Sequence, residues 1–324
     1  MNRITSYYSF MKLCATNKLW LQKYEKLGHP KPFDVSLRDG LQSLSKDDQN
    51  KFTIQYKINL YKEIVENHNP LQIEIGSITS NKVLPIFNDS KDLLDYARNN
   101  YKDKQHFMLI PNKNKLIEFL SIMNIMSDTS QEKDCKYISL ITSVSNSFQK
   151  KNTKKNIHEN RFEINDMLNI LTHTMTPNYY VKLYISCINE CPIEGKINND
   201  FIVDEIVKYH TENIEKIHNI CLSDTVGTLC ESDFTYIVDK CNKLGVPFST
   251  FSLHLHVNKQ NHQSVQSTEK IFYSALDRNI TLFDVSLLES GGCSVTMNKS
   301  QLLPNLSYEL YYECLLKYII SKTI

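Results

Sequence analysis

Two histidines two residues apart, His254 and His256, lie in an apolar run of strand length, and Asp39 follows Arg38 at the end of another such run. Alternation along a strand puts residues i and i+2 on one face, so both imidazoles point the same way. Two imidazoles and a carboxylate suit a divalent metal whose remaining ligands are oxygens. Arg38 places a permanent cation with five N–H donors beside that carboxylate. An isolated His-x-His is more often a chance pair in a core or on a surface, but polar groups recur at the ends of the other apolar runs. They include Glu74, Tyr184 through Cys187, Ser223-Asp224-Thr225-Val226-Gly227, and Ser290-Gly291-Gly292-Cys293. Cys187 and Cys191 look like half of a zinc site, yet no second pair stands at suitable spacing.

Such groups need a scaffold that gathers strand ends. Apolar runs rich in β-branched and aromatic residues occur at 32–37, 71–77, 106–111, 137–143, 181–187, 219–225, 251–257 and 282–288. Between them lie amphipathic stretches of helical pattern, for example 52–65, 114–126 and 201–217, the last with an N-cap entry at Asp200-Phe201. Eight strands alternating with helices predict an α/β fold, a (β/α)8 TIM barrel, with a doubly wound sheet as the alternative. A final helix is expected from about residue 307. The organisation read from this pattern is a helical N-terminal extension over 1–30 and a single barrel domain over 31–324. In barrels the catalytic groups sit at the C-terminal strand ends, which is where the polar residues above fall.

Composition narrows the partners. The chain has 324 residues, 37 Lys+Arg against 36 Asp+Glu and a net charge of +1, which gives no reason to expect nucleic acid. No apolar run reaches the roughly 18–20 residues that span a bilayer, so no membrane segment is expected. Nine cysteines, an odd number without small-domain spacing, point to a reducing compartment. Arg3, Lys12, Lys18 and Lys23 precede the first acidic residue, Glu25. This is a weak transit-like pattern, and solvated lysines on a helical extension are the simpler reading. A cytoplasmic setting is expected, with the mitochondrial matrix as the alternative.

Several strings in the sequence resemble the 3-hydroxy-3-methylglutaryl-CoA lyases, barrel metallolyases grouped with isopropylmalate and homocitrate synthases. They are Arg38-Asp39-Gly40-Leu41-Gln42, Ile73-Glu74 with Ser80-Asn81-Lys82-Val83-Leu84-Pro85, and Phe148-Gln149-Lys150-Lys151-Asn152. Ser186-Cys187, Cys191-Pro192-Ile193-Glu194-Gly195-Lys196-Ile197, Ser223-Asp224-Thr225-Val226-Gly227, His254-Leu255-His256 and Gly291-Gly292-Cys293 complete the set. The resemblance runs from about residue 33 to about residue 312. Glycine is scarce, at 8, and Gly40, Gly76, Gly195, Gly227, Gly291 and Gly292 all lie within or beside these strings.

The resemblance implies a metal held by Asp39, His254, His256 and an asparagine after strand eight, Asn305, with Asn298 as the fallback. This donor set favours Mg²⁺ or Mn²⁺. It implies retro-Claisen cleavage of 3-hydroxy-3-methylglutaryl-CoA, or a close acyl-CoA, to acetoacetate and acetyl-CoA. Arg38 would stabilise charge on the thioester oxygen, and Cys293 would protonate the leaving enolate. Glu74, Asp224 and His254 would handle protons or orient neighbours. Arg38, Lys82 and Tyr184 are expected to contact substrate, and Lys150 and Lys151 the CoA phosphates, a solvated loop being the simpler reading of these lysines. A Claisen-type synthase or aldolase, or a non-catalytic acyl-CoA-binding barrel, is the alternative, and a homodimer stays open. The sequence departs from the pattern in two places. Val257 follows the second histidine where the family has an aspartate, and 294–305 contains no glycine.

Overall fold

A computed structural model describes all residues except 1–3, 45, 50, 81, 128–134, 176–178, 293 and 324, and describes 46, 47, 124–127 and 175 by their backbone alone. Eight parallel strands close into a barrel: β1 (Phe33–Asp34), β2 (Gln72–Ser77), β3 (Gln105–Leu109), β4 (Lys136–Ser143), β5 (Tyr179–Ser186), β6 (Asn219–Asp224), β7 (Phe251–Leu255) and β8 (Phe283–Val285). Each strand pairs with its neighbours in sequence, and β1 pairs with β8 to close the ring. This is the expected TIM barrel, and it excludes the open sheet.

Two helices precede the barrel, α1 (Tyr7–Ala15) and α2 (Lys18–Lys26). Around the strands run α3 (Ile54–His68), α4 (Ser90–Asn100), α5 (Lys113–Ser127), α6 (Asn146–Thr153), α7 (Ile157–Met175), α8 (Asn199–Glu212), α9 (Glu231–Lys243), α10 (His262–Asp277) and α11 (Tyr308–Ser321). Polar caps start many of them: Ser6 and Ser9 form a capping box on α1, and Ser307 caps α11. The extension is part of the core. Phe10, Cys14 and Tyr24 are fully buried, and the Phe10 ring stacks on Tyr312 of α11 at 5.5 Å.

Several expected boundaries move, two of them for reasons that the hydrogen bonds show. The helix expected over 201–217 is α8, which starts earlier because Asn198, not Asp200, accepts the N–H groups of Asp200 and Phe201. It ends at Glu212, and Glu215 beyond it adopts φ +68°. The first strand stops at Asp34 rather than at residue 37. The Asp34 carboxylate accepts the Ser36 N–H at 3.0 Å and its hydroxyl at 2.8 Å, which turns the backbone out of the strand. The chain then makes one π-helical turn, Ser36–Gly40, a wide turn common at functional sites.

Outward-facing strand residues such as Ile73, Ile138, Leu183, Leu222 and Leu253 join the main core under the helices. The inward face is different. At its lower end Phe33, Val35 and Phe107 pack with Tyr137, Tyr180 and Leu282. One strand level higher the interior becomes polar, and the C-terminal ends open into a cavity of about 760 Å³.

Candidate metal centre and cavity

The π turn places Arg38 and Asp39 on one turn at the top of the barrel, both buried. β7 brings in His254, and His256 follows on the same face, its backbone bridged to that of Asn305. Asp39, His254 and His256 can each offer one ligand atom such that all three lie within 4.8 Å of one another. The two Nε2 atoms are 3.2 Å apart, and His254 Nε2 lies 3.8 Å from Asp39 Oδ2.

Each of these three side chains is oriented from behind. His256 Nδ1 faces the Leu303 carbonyl at 2.9 Å, and His254 Nδ1 faces Asp284 Oδ2 at 3.1 Å. A ring nitrogen directed at an acceptor carries the proton, which leaves Nε2 as the lone-pair donor on both rings. Asp39 Oδ2 accepts the Gly292 N–H at 2.9 Å. Gly292 is at φ +89°, where a side chain would be strained, and a Cβ there would meet Leu302 at 2.9 Å.

Asn305 completes the donor set. Its Nδ2 donates to the Ser290 carbonyl at 3.1 Å, while its Oδ1 is buried without a hydrogen-bond partner among the described residues. A buried, unpartnered amide oxygen beside His256 is costly unless something else satisfies it. Asp39, His254, His256 and the Asn305 oxygen are a donor set of two nitrogens and two oxygens that fits a divalent cation. The fallback residue, Asn298, is excluded by position: it is exposed and caps a short 3₁₀ turn with Gln301.

Asn305 is fixed by the backbone around it. Val257 N donates to the Pro304 carbonyl (2.8 Å), Leu306 N to Leu255 (3.0 Å) and Ser286 N to Leu306 (2.9 Å). The segment 304–306 therefore lies hydrogen-bonded across the ends of β7 and β8.

Charge at the site is strongly organised. Arg38 donates through Nε to Glu74 and through Nη1 to Asp39, and its guanidinium carbon lies 5.0 Å from the centre of the Tyr184 ring. Burial works against its charge, but Glu74 and Asp39 outweigh this and hold its pKa well above the ordinary value. Burial likewise opposes ionisation of Asp39, yet Arg38 and the two imidazoles hold its carboxyl well below the usual range. Burial, aided by His254, lowers His256 to about 4, so this ring is neutral near pH 7 and available as a ligand.

The other expected residues divide. Tyr184 donates to Glu74 Oε2 at 3.2 Å and lines the cavity with Arg38, Lys82 and Lys151. Glu74 stands behind Arg38, outside the cavity lining. Asp224 stands outside the cavity lining. Its oxygens accept the backbone N–H groups of Gly227, Thr228 and Leu229 at 3.0–3.1 Å, and its neighbours Ser223 and Thr225 form the wall instead. Its carboxylate is committed to shaping the turn after β6. Lys150 is exposed and outside the cavity lining, whereas Lys151 lines it and donates to the Thr296 carbonyl at 2.8 Å. Lys115 and Lys154 also line the mouth. Cys293 lies outside the described residues, and its neighbours Gly292 and Ser294 line the cavity.

Sequence reasoning passed over Asp284. It stands on the adjacent strand β8 in direct register with His254, whose Nδ1 it faces. Its only sequence signal was a single aspartate in an apolar strand.

Among known proteins, the chain is 25% identical over 273 residues to the mitochondrial hydroxymethylglutaryl-CoA lyase of Macaca fascicularis, covering 82% of this chain and 73% of that one. The corresponding Arabidopsis thaliana protein is 25% identical over 264 residues, and the match spans 49% of its length. No family model matches. Solved structures give the same picture of the fold. A hydroxymethylglutaryl-CoA lyase from Brucella melitensis superposes with a TM-score of 0.71 at 19% identity, over 90% of this chain and 95% of that one. One from Acinetobacter baumannii, solved with coenzyme A and 3-methylmalate, gives 0.68 at 21%, over 91% and 88%. With the motifs on their expected strand ends, the chain is similar in sequence and in fold to the hydroxymethylglutaryl-CoA lyases.

Proposed function

We propose that this protein is a divalent-metal-dependent carbon–carbon lyase that cleaves 3-hydroxy-3-methylglutaryl-CoA, or a close 3-hydroxyacyl-CoA, to acetoacetate and acetyl-CoA. The observation that carries the reading is the buried cluster of Asp39, His254 and His256 beside Arg38, at the floor of a cavity large enough for an acyl chain. Asp39, His254, His256 and Asn305 would hold Mg²⁺ or Mn²⁺. Bound there, the ion would supply Lewis acidity toward the oxygens of the substrate.

In the cleavage, a general base takes the proton of the tertiary hydroxyl, whose oxygen becomes the ketone of acetoacetate, and the breaking C–C bond leaves its electron pair on acetyl-CoA as the enolate. The enolate is then protonated at carbon. Arg38 is preorganised for the charge that grows on the thioester oxygen, because Glu74, Asp39 and Tyr184 fix its plane while other N–H groups remain for substrate. Glu74 and Tyr184 are positioning groups in this scheme. Cys293, between two cavity-lining residues, is the proton donor that the family resemblance assigns. Lys82, Lys115, Lys151 and Lys154 give the mouth a basic rim suited to the phosphates of CoA. The neighbour crystallised with coenzyme A supports a substrate of this class.

The test is direct. Purified protein supplied with Mg²⁺ or Mn²⁺ is expected to release acetoacetate from 3-hydroxy-3-methylglutaryl-CoA. Arg38→Gln is expected to remove at least the 10²–10³-fold, about 2.7–4 kcal/mol, that such a preorganised donor contributes. Absence of turnover by folded, metal-loaded protein would sink the reading.

A further inference from the structure

Two residues before Tyr184, on the same inward face of β5, stands Lys182, whose side chain is enclosed inside the barrel. An ammonium without water needs a fixed counter-charge. Its Nζ donates to Asp284 Oδ1 and rests 3.4 Å above the centre of the Phe33 ring. The second oxygen of Asp284 accepts from His254 Nδ1 at 3.1 Å and has the Cys221 Sγ 3.8 Å away. One buried carboxylate thus links a buried cation to a ring whose other nitrogen faces Asp39 and His256.

We propose that Lys182 is a positioning residue for the metal centre, pinning Asp284 so that His254 is held with its proton on Nδ1 and its Nε2 turned toward Asp39 and His256. This rests on the reading of those three residues as metal ligands. Lys182 touches neither metal nor substrate and acts through two intermediates. If Lys182 is removed, Asp284 becomes an unpaired carboxylate with no solvent to receive it. Only the His254 ring and the Cys221 thiol then remain to place its second oxygen. The competing explanation is that the pair only holds β5 to β8, which predicts lower stability with unchanged metal binding.

Co²⁺ titrated into metal-free, full-length protein separates the two, read by calorimetry, by the visible spectrum of the bound ion and by thermal melting. Lys182→Met is expected to weaken Co²⁺ binding about 10- to 100-fold, as loss of an outer partner typically does, and to alter the spectrum. The double variant Lys182→Met/Asp284→Asn removes both buried charges and leaves an amide oxygen facing His254. It is expected to melt near wild type while binding Co²⁺ at least about tenfold more weakly. Wild-type affinity and spectrum in folded Lys182→Met would overturn the proposal. Should that variant not fold, wild-type affinity in the double variant would overturn it equally. Failure of the wild-type protein to bind Co²⁺ at all would remove the metal-site reading itself, a different result from equal binding by wild type and variant.

Discussion

Asn305 and Asp224 show how much a side chain's role depends on what its oxygens already hold. The Asn305 oxygen is buried and has no hydrogen-bond partner among the described residues, so Asn305→Ala is expected to weaken Mn²⁺ binding by at least the 10- to 100-fold typical of an outer partner. Calorimetry would check this, and wild-type affinity would remove Asn305 from the ligand set. Asp224 has spent its oxygens on three backbone N–H groups. Burial raises its pKa to about 6 despite those bonds. From sequence the two could not be told apart in this respect, because a strand-end carboxylate looks the same whether it faces substrate or backbone. Arg38, Asp39 and the histidine pair were legible because their types and spacing carry geometry. Lys182 and Asp284 were not, since one charged residue in an apolar strand has no spacing to read and its partner is 102 positions away.

At the scale of elements, the periodicity located all eight strands, and the errors fell where a side chain captures backbone. Asp34 ends β1 early and starts the π turn that carries Arg38 and Asp39, while Asn198 starts α8 ahead of Asp200. Such captures depend on rotamers that hydrophobic patterning does not encode. The glycine turn after β8 is a comparable device. Gly292→Ala places a side chain at φ +89° and against Leu302, a strain of about 1 kcal/mol or more. Relief of that strain would draw the residue 292 N–H away from Asp39. Both the melting temperature and the Mn²⁺ affinity are therefore expected to fall. A fall in melting temperature alone would mean that the backbone donor does not tune the ligand.

Across the whole molecule, buried histidines tie stability to pH. His68, stacked on Tyr308 at 3.7 Å, is lowered by burial to about 4. Unfolded, it titrates near 6.5, so the unfolded chain binds more protons between about pH 4 and 6.5, and stability rises with pH across that window. Asp34 and Asp224, raised by burial to about 7 and about 6, have the opposite sign, because the folded chain keeps their protons above the unfolded value near 3.8. His68→Phe keeps an aromatic stack and leaves both carboxylates in place. Its urea midpoint is therefore expected to rise less, or fall more, than that of the wild type as pH goes from about 4 to 6.5, so that the difference wild type minus variant grows with pH. Parallel curves would show that the histidine does not stay neutral in the fold. The strip at 304–306 bears on how such a protein can change over time. It is hydrogen-bonded to the ends of β7 and β8, so Asn305 keeps its place beside His256 whatever the length of chain between Gly292 and residue 302. Insertions and deletions there can be sampled without dislodging a ligand. Lineages of this barrel are thereby free to reshape the cavity mouth while Asn305 and His256 keep their mutual geometry.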